Sequence, residues 1–390
     1  MTKKKYKFDH RCLSKVRSVE RKKFVKDYNV KSDITVKEKQ KKINDKEFDF
    51  SKTHSLSFFS GAGGLDIGSI LAGVKILSSL DFDKDSIETL KKNKVFDSTR
   101  HFCEDIRNFD LKNFNKIIKN NKSEKLILLG GPPCQPFSKA GYWVTHKKIL
   151  GNKDPRNMIS KFLQTIKIIQ PDGFIIENVE SLLHPKNMVM VEEIEEFLYK
   201  NNFHFIRHVA NAIDYGVAQK RKRVFFIASK KEIKFRPIPT HGENLLPYER
   251  VVDWIYNYDS SIFFEKEESV KDKTYENELL QIPPGKNYFA LTERDNHPRP
   301  VFQANKKFWS FLLKLNPFLS SWTIPAQPGP WVGPLHWNNR RLRVPEIAAI
   351  QSFPSDYIFH GTRRSIQKQI GNAVPPLLGK AMIECLVKNL

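Results

Sequence analysis

The stretch that decides the fold is residues 126–138, Leu-Ile-Leu-Leu-Gly-Gly-Pro-Pro-Cys-Gln-Pro-Phe-Ser. Its first four residues form an apolar run that is short enough to be one buried strand, which would end at the glycines. Three prolines follow within five residues, and since each fixes φ and lacks a backbone donor, the loop is stiff. Cys134 lies in the middle of this loop. A thiol held at the end of a strand suits covalent catalysis, although a buried structural cysteine in a Pro-rich turn gives the same pattern.

The chain on both sides of this stretch alternates between strands, glycine-containing loops and helices, which is typical of an α/β fold. The predicted strands are Leu56–Phe59, Lys75–Leu80, a short strand ending near Glu104–Ile106, Leu126–Leu129, Gly173–Ile176, Phe203–Ala210 and Val224–Ala228. The predicted helices are Leu65–Ala72, one that follows Asp83 and continues through Leu90, Asn157–Ile169, Pro345–Gln351 and one from about Pro376 to the end. This order predicts a Rossmann-like domain with a mostly parallel, twisted sheet.

The composition divides the chain into four segments. Residues 1–53 hold 15 Lys and 3 Arg against 8 acidic residues, with little apolar periodicity, so we expect a basic extension without its own core. Residues 54–229 carry the first part of the α/β pattern. In residues 230–325 the alternation fades and aromatic, Pro, Lys and Arg residues dominate, which predicts a smaller second domain. Residues 326–390 are expected to return to the α/β domain.

The charge of the whole chain points to a polyanionic partner. Lys and Arg number 66 against 43 Asp and Glu, a net charge of +23 over 390 residues, and nucleic acid is the first candidate. The four cysteines, Cys12, Cys103, Cys134 and Cys385, are scattered without a Cys-x-x-Cys pair, so neither a metal site nor a disulfide framework is expected. No apolar run approaches the length of a membrane span. We therefore expect a reducing, cytoplasmic location and no membrane contact.

A glycine turn between a strand and a helix suggests a nucleoside cofactor. Gly61-Ala62-Gly63-Gly64 would let a ligand approach backbone N–H groups at a helix N-terminus, and Asp81 follows 17 residues later at the end of the next strand, where a carboxylate can bind ribose hydroxyls. Phe82 could stack on an adenine, and Asp105 could accept a hydrogen bond from its amino group. The turn alone also fits NAD enzymes, and each residue alone could be an ordinary loop acid or core aromatic.

Cys134 and Glu177 each follow a predicted strand, so both should lie at the carboxyl edge of one sheet. A thiolate and a carboxyl group suit one reaction on a pyrimidine. The thiolate adds to C6 while the acid hydrogen-bonds N3, which makes C5 nucleophilic toward an electrophilic methyl group. The other interpretation of Glu177 is a carboxylate that caps a helix start.

The chain resembles the DNA (cytosine-5) methyltransferases, in particular those of bacterial type II restriction-modification systems. The similarity rests on eight motifs in the family's order: Phe58–Leu65, Asp81–Asp83, Asp105–Ile106, Gly131–Ser138, Glu177–Val179, Gln219–Arg223, Gln351–Pro354 and Gln369–Pro376. The Pro-Pro-Cys-Gln loop and the Gly-Asn-Ala-Val-Pro-Pro segment are the most specific of these.

The resemblance implies S-adenosyl-L-methionine as cofactor and a cytosine flipped out of double-stranded DNA as substrate. The cofactor residues it implies are Phe59, Ser60, Gly61, Gly63, Gly64, Leu65, Asp81, Phe82, Asp105, Ile106, Pro132, Asn372 and Ala373. Cys134 would be the nucleophile and Glu177 the acid at N3, and Arg221 and Arg223 would hold the flipped nucleotide. Residues 230–325 would form the target recognition domain. We expect a bacterial monomer, with any cognate restriction endonuclease on a separate chain.

The sequence departs from the family pattern at two positions and leaves rival functions to weigh. Pro345 stands where a second Arg of an Arg-x-Leu-Thr-x-Arg-Glu motif falls, and Ala349 replaces a common Arg, which puts a local contact in doubt.

A tRNA cytosine methyltransferase of the same fold would carry a Cys-Phe-Thr tripeptide, but no Cys lies between Cys134 and Cys385. An NAD oxidoreductase would explain neither the cysteine loop nor the charge, and a non-catalytic DNA-binding regulator would lack some of the chemical residues.

Overall fold

The computed structural model describes residues 48–121, 124–133 and 158–390, and its contacts divide them into two compact units. The larger unit holds the described residues up to Tyr215, then Lys222–Pro239 and Val374–Leu390, and the smaller unit holds Gly216–Arg221 and Thr240–Ala373. The smaller unit thus takes in most of the predicted recognition segment and also residues 326–373. That this unit recognises DNA stays a prediction, as do the functional boundaries. The basic extension up to residue 47 lies outside the described residues.

The larger unit is built on a seven-stranded sheet in the order β3-β2-β1-β4-β5-β7-β6. Its strands are β1 Thr53–Phe58, β2 Lys75–Asp81, β3 Arg100–Cys103, β4 Lys125–Gly130, β5 Gly173–Val179, β6 His204–Asn211 and β7 Lys222–Ser229. Six strands run in the same direction, and β7 alone runs in the opposite direction, between β5 and β6. The predicted α/β fold with a mostly parallel sheet is confirmed. The strand order reverses between β1 and β4, and open α/β sheets bind ligands at the carboxyl ends of strands at such a point.

Helices cover both faces of this sheet. They are α1 Gly64–Leu71, α2 Lys84–Lys91, α3 Lys112–Asn120, α4 Met158–Ile169, α5 Met188–Lys200 and, after four helices of the smaller unit, α10 Pro376–Lys388. The helix α2 begins where Asp83 accepts a hydrogen bond from the Ser86 backbone N–H at 3.1 Å, as an N-cap does. Helices α1 and α10 pack closely at Gly68. A Cβ at this position would lie 2.8–2.9 Å from backbone atoms of α10, so the close packing depends on glycine.

Burial on both faces explains why the central strands are continuously apolar. Ile127, Leu128 and Leu129 of β4 have no exposed surface. On the neighbouring strand β1, the Phe58 ring packs against the rings of Phe114 and Phe162, with centroid distances of 5.1 and 5.3 Å. Most predicted strands match to within three residues at each end. The third one ends at Cys103, before the predicted Glu104–Ile106.

The smaller unit has little regular structure. Its elements are α6 Val251–Ile255, α7 Glu276–Gln281, β8 Leu335–His336, β9 Arg340–Arg341, α8 Val344–Ile350 and α9 Arg363–Asn372. A buried ion pair joins distant segments, because Arg343 binds Glu268 with Nη2–Oε1 at 2.9 Å. A second buried pair is local and binds Arg340 to Glu346 with Nη2–Oε1 at 2.6 Å. Pro345 lies in the first turn of α8, where a missing N–H costs nothing. Arg340 and Arg343 therefore make buried contacts around the position where the family pattern has its second Arg.

One described stretch, Arg363–Lys388, is long and apolar enough by composition to cross a membrane. Ala373–Pro375 divide it into α9 and α10, and 67% of its most apolar window is buried inside the protein. Burial of this kind is typical of core helices in a folded domain.

Candidate active site

The glycine turn, residues 59–64, connects β1 to α1. Gly61 and Gly63 adopt φ values of +52° and +76°, which favour glycine. A Cβ added to Gly61 would meet no atom within 4 Å, so the turn is open on that side. The backbone N–H of Ser60 donates to the Leu80 carbonyl at 3.2 Å, and this bond ties the turn to β2.

Asp81 ends β2 with its carboxylate held by backbone donors. Its Oδ2 accepts from the Gly61 N–H at 2.8 Å, and its Oδ1 accepts from the Asp83 N–H at 2.8 Å. The next side chain, Phe82, is 64% exposed, which is unusual for an aromatic ring. The end of β2 therefore presents a fixed carboxylate with an accessible aromatic ring beside it, a combination that can bind a sugar and a planar ring.

A cavity of about 210 Å³ lies at these strand ends. The described residues that line it are Phe59, Leu80, Asp81, Phe82, Glu104, Asp105, Ile106, Arg107, Pro133 and Met158. It brings together five of the predicted cofactor residues. Leu80, Glu104, Arg107, Pro133 and Met158 were not predicted, although four of them are immediate neighbours of predicted residues or motifs in the sequence.

The Asp105 carboxylate already has a partner in the cavity wall. Arg107 donates to it from Nε at 2.9 Å and from Nη2 at 2.6 Å, and this hydrogen bonding holds the pKa of Asp105 below its ordinary value. An adenine amino group at Asp105 would have to share the carboxylate with Arg107.

The remaining predicted cofactor residues have other surroundings. Ser60 and Leu65 are buried, and Leu65 lies against Gly379 of α10. The Pro132 carbonyl accepts from Asn178 Nδ2 at 3.0 Å. Gly64 is the first residue of α1. Asn372 ends α9 and Ala373 follows it, and both belong to the smaller unit.

Glu177 lies within β5 and is 8% exposed, so it is not a helix cap. Its Oε1 lies 3.0 Å from Arg223 Nε. Burial lowers the pKa of Arg223, and the charge of Glu177 opposes that shift. The other oxygen, Oε2, would lie 3.1 Å from a Cβ on Gly131. The carboxylate therefore faces the loop that continues through Pro133 to Cys134, which itself lies outside the described residues.

Arg221, two residues before Arg223, makes different contacts. It is 1% exposed and donates from Nη2 to the Gly371 carbonyl at 2.7 Å, and from Nη1 to the Ile324 carbonyl at 3.4 Å. These bonds hold three distant segments of the smaller unit together. The predicted contact of Arg221 with a flipped nucleotide stays a prediction.

One group of metal-ligand residue types occurs in the described part of the chain, Asp259, His336 and Glu346 in the smaller unit. The Arg340 guanidinium lies between the two carboxylates, with Nη2 2.6 Å from both. Burial and the nearby Arg340 and Arg343 hold the pKa of His336 well below its ordinary value. Arg340 thus supplies the cation of this cluster.

Comparison with known proteins gives a consistent result. The family model for C-5 cytosine-specific DNA methylase matches residues 53–388. The type II methyltransferase M.SacI of Streptomyces achromogenes is 32% identical, covering 86% of this chain and 93% of that protein. M1.HphI of Haemophilus parahaemolyticus is 31% identical, covering 85% and 86%.

Solved structures of other methyltransferases share the fold, and two examples follow. The Entamoeba histolytica methyltransferase EhMeth superposes with a TM-score of 0.59 at 17% identity, and the S. pombe Dnmt2 methyltransferase with 0.57 at 15% identity. Each covers 86% of this chain and 98% of the other.

Proposed function

Because this chain belongs to the C-5 cytosine-specific DNA methylases and is thus a DNA cytosine-5 methyltransferase, we propose that it methylates through a covalent adduct between Cys134 and C6 of a flipped cytosine. The observation that carries this proposal is the surroundings of Glu177. A buried carboxylate, paired with Arg223 at 3.0 Å, faces the glycine three residues before a cysteine in a Pro-rich loop. A buried acid beside the loop that leads to Cys134, in a domain whose cavity is lined by Asp81 and Phe82, supports this reaction.

In this reaction the Cys134 thiolate adds to C6 of cytosine, and Glu177 in its protonated form donates a hydrogen bond to N3, which stabilises the negative charge that the addition places on the ring. S-adenosyl-L-methionine would supply the electrophilic methyl group for C5, with its S–CH3 bond broken and its sulfur left as a neutral thioether. Loss of the C5 proton to a base then expels the Cys134 thiolate and restores the ring. Arg223 holds Glu177 in position through the charge-assisted contact.

The residues of the cavity fit the cofactor. The Asp81 carboxylate would accept the ribose hydroxyls, Phe82 would stack on the adenine ring, and Asp105 would accept from the adenine amino group while still bonded to Arg107. The backbone of the glycine turn would leave room for the ligand at Gly61. The cofactor's charged sulfonium centre is compatible with a cavity that holds several carboxylates.

The DNA partner follows from the family and the charge of +23. The smaller unit, with the segment 230–325, would read the target sequence, and the basic extension would touch phosphates. We propose a cytoplasmic monomer that modifies DNA in a restriction-modification system, with any endonuclease on another chain.

Bisulfite sequencing tests the function directly. DNA from cells that express the chain should contain 5-methylcytosine at one sequence context, and DNA from cells with Cys134→Ser should contain none. Unmodified DNA together with methylated tRNA from the same cells would favour the tRNA enzyme, and absence of both would refute the proposal.

A further inference from the structure

Asp66 has a buried carboxylate directly under the glycine turn. It lies in the first turn of α1 and has no exposed surface. Its Oδ1 accepts a hydrogen bond from Ser57 Oγ near the end of β1, and its Oδ2 accepts from Ser79 Oγ near the end of β2 at 2.7 Å. A single side chain therefore joins the carboxyl ends of two adjacent strands.

The contacts continue from there into the cofactor cavity. Ser60 Oγ donates to Ser57 Oγ at 3.0 Å, and the Ser60 backbone N–H binds the Leu80 carbonyl. The next residue, Gly61, donates to Asp81 at 2.8 Å. Two hydroxyl groups thus separate Asp66 from the turn, and Ser79 stands two residues before Asp81 on the same strand.

We propose that Asp66 is a positioning residue for the cofactor: its carboxylate draws the ends of β1 and β2 together beneath the glycine turn and so sets where Gly61 and Asp81 meet the ligand. This rests on the proposed use of S-adenosyl-L-methionine. Nothing in the motif pattern assigns Asp66 a role, and it does not line the cavity.

A buried charge at this place is costly to keep. Burial, with a smaller contribution from the nearby Asp81, raises the pKa of Asp66 to about 6 against the opposing effect of the Ser57 and Ser79 hydroxyls. An uncharged side chain would remove that cost. Because the ionised carboxylate lowers the stability of the folded protein at this position, we expect it to serve a function.

Asp81 is the charged group that acts on Asp66. On α10, which packs on α1, Lys380 and Glu384 pair with each other at 3.0 Å. His54 and Lys75 lie at the opposite ends of β1 and β2. A ligand with a positive sulfonium centre favours the ionised form of Asp66, so by linkage cofactor binding should release a proton, and affinity should fall as the pH drops through about 6.

The test is calorimetric titration of S-adenosyl-L-methionine into the wild type and Asp66→Asn at pH 5.5 and pH 8. Asn has the size of Asp, but it has no negative charge and only one of the two acceptor oxygens. At pH 8 we expect about tenfold weaker binding by the variant, from the loss of charge-assisted hydrogen bonds. Wild-type affinity should fall toward that of the variant at pH 5.5, and the variant should show no such pH dependence.

Stability separates positioning from a merely structural role. The folded protein holds the Asp66 proton more tightly than the unfolded chain, so its stabilisation is complete below about pH 4 and is lost as the pH rises through 6. The wild-type Tm should therefore fall relative to that of Asp66→Asn between pH 4 and pH 7. If Asp66→Asn binds the cofactor more weakly than the wild type at pH 8 while being at least as stable, the result supports a positioning role for Asp66.

Ser69→Ala is a matched control. Like Asp66, Ser69 is a buried residue of α1, and its Oγ lies 3.2 Å from Oγ of Ser55 on β1. Ser69 differs from Asp66 because it lies near the end of α1 that is far from the glycine turn. It should bind the cofactor like the wild type.

Equal affinity and equal pH profiles of wild type and Asp66→Asn would overturn the proposal. If Asp66→Asn does not fold, Ser79→Ala decides: a loss of affinity at pH 8 beyond that of Ser69→Ala supports the proposal, and equality refutes it. A wild type that binds no S-adenosyl-L-methionine would refute the proposed function itself.

Discussion

Glu177→Gln is the substitution that tests the candidate active site most directly. The Glu177 and Arg223 side chains are 11% and 14% exposed, with Oε1 and Nε 3.0 Å apart. Gln keeps the size and one acceptor for Arg223, but it removes the negative charge and cannot carry a proton to N3. The neighbouring pair Glu180–Lys222 is a matched control, because its side chains are 51% and 58% exposed and its atoms are 3.6 Å apart.

The magnitudes follow from burial. Removing one partner of a buried ion pair destabilises a protein by about 3–5 kcal/mol because the other charge stays uncompensated. Since Gln still accepts a hydrogen bond, we expect a loss of about 2–3 kcal/mol for Glu177→Gln. The exposed pair should contribute about 0–1 kcal/mol, so Glu180→Gln should change stability little. Turnover should fall by about 10²-fold or more in Glu177→Gln only.

Two measurements check this prediction. Urea denaturation gives the free energy of unfolding of both variants, and transfer of labelled methyl groups to DNA at saturating cofactor gives turnover. Cofactor affinity should not change in either variant. If Glu177→Gln is as stable as Glu180→Gln and keeps more than a tenth of wild-type turnover, the pair neither holds a buried charge nor serves the reaction.

Three further predictions concern the loop, the helix crossing and the smaller unit. Cys134→Ser should lose at least ~10³-fold in methylation rate while DNA binding in a filter assay persists; a variant with a tenth of the normal rate would exclude covalent catalysis by Cys134. Gly68→Ala should destabilise the protein by about 1–3 kcal/mol in denaturation, since its Cβ would lie 2.8 Å from the Lys380 backbone N, whereas an unchanged midpoint would refute the close packing of α1 and α10. Replacing residues 230–325 with the equivalent segment of a related enzyme should redirect methylation, read by bisulfite sequencing, to the donor's sequence; a folded chimera that keeps the original sequence would refute the recognition role.

Local patterns in the sequence were enough to predict the mostly parallel sheet and to bring the glycine turn together with Asp81. The apolar run Leu126–Leu129 fits one buried strand, because it is only four residues long and two glycines follow it directly. The glycine turn and Asp81 could be paired from their spacing alone, since a strand–turn–helix–strand unit brings its two strand ends side by side. For the same reason Glu177 could be assigned to the edge of the sheet to which the Cys134 loop belongs.

Only the tertiary structure decided the contacts between residues that are far apart in the sequence. Arg221 stands in a motif that implied a nucleotide contact, yet its guanidinium binds the carbonyl of Gly371, 150 residues away. Arg343 pairs with Glu268, 75 residues away, which is one reason that residues 326–373 join the smaller unit. A guanidinium can bind many carbonyls and carboxylates, and no sequence pattern states which one the fold brings near. Asp66 shows the same limit, because its spacing in α1 is that of any buried helix position, and its hydrogen bonds depend on the Ser57 and Ser79 hydroxyl groups that two strands bring to it.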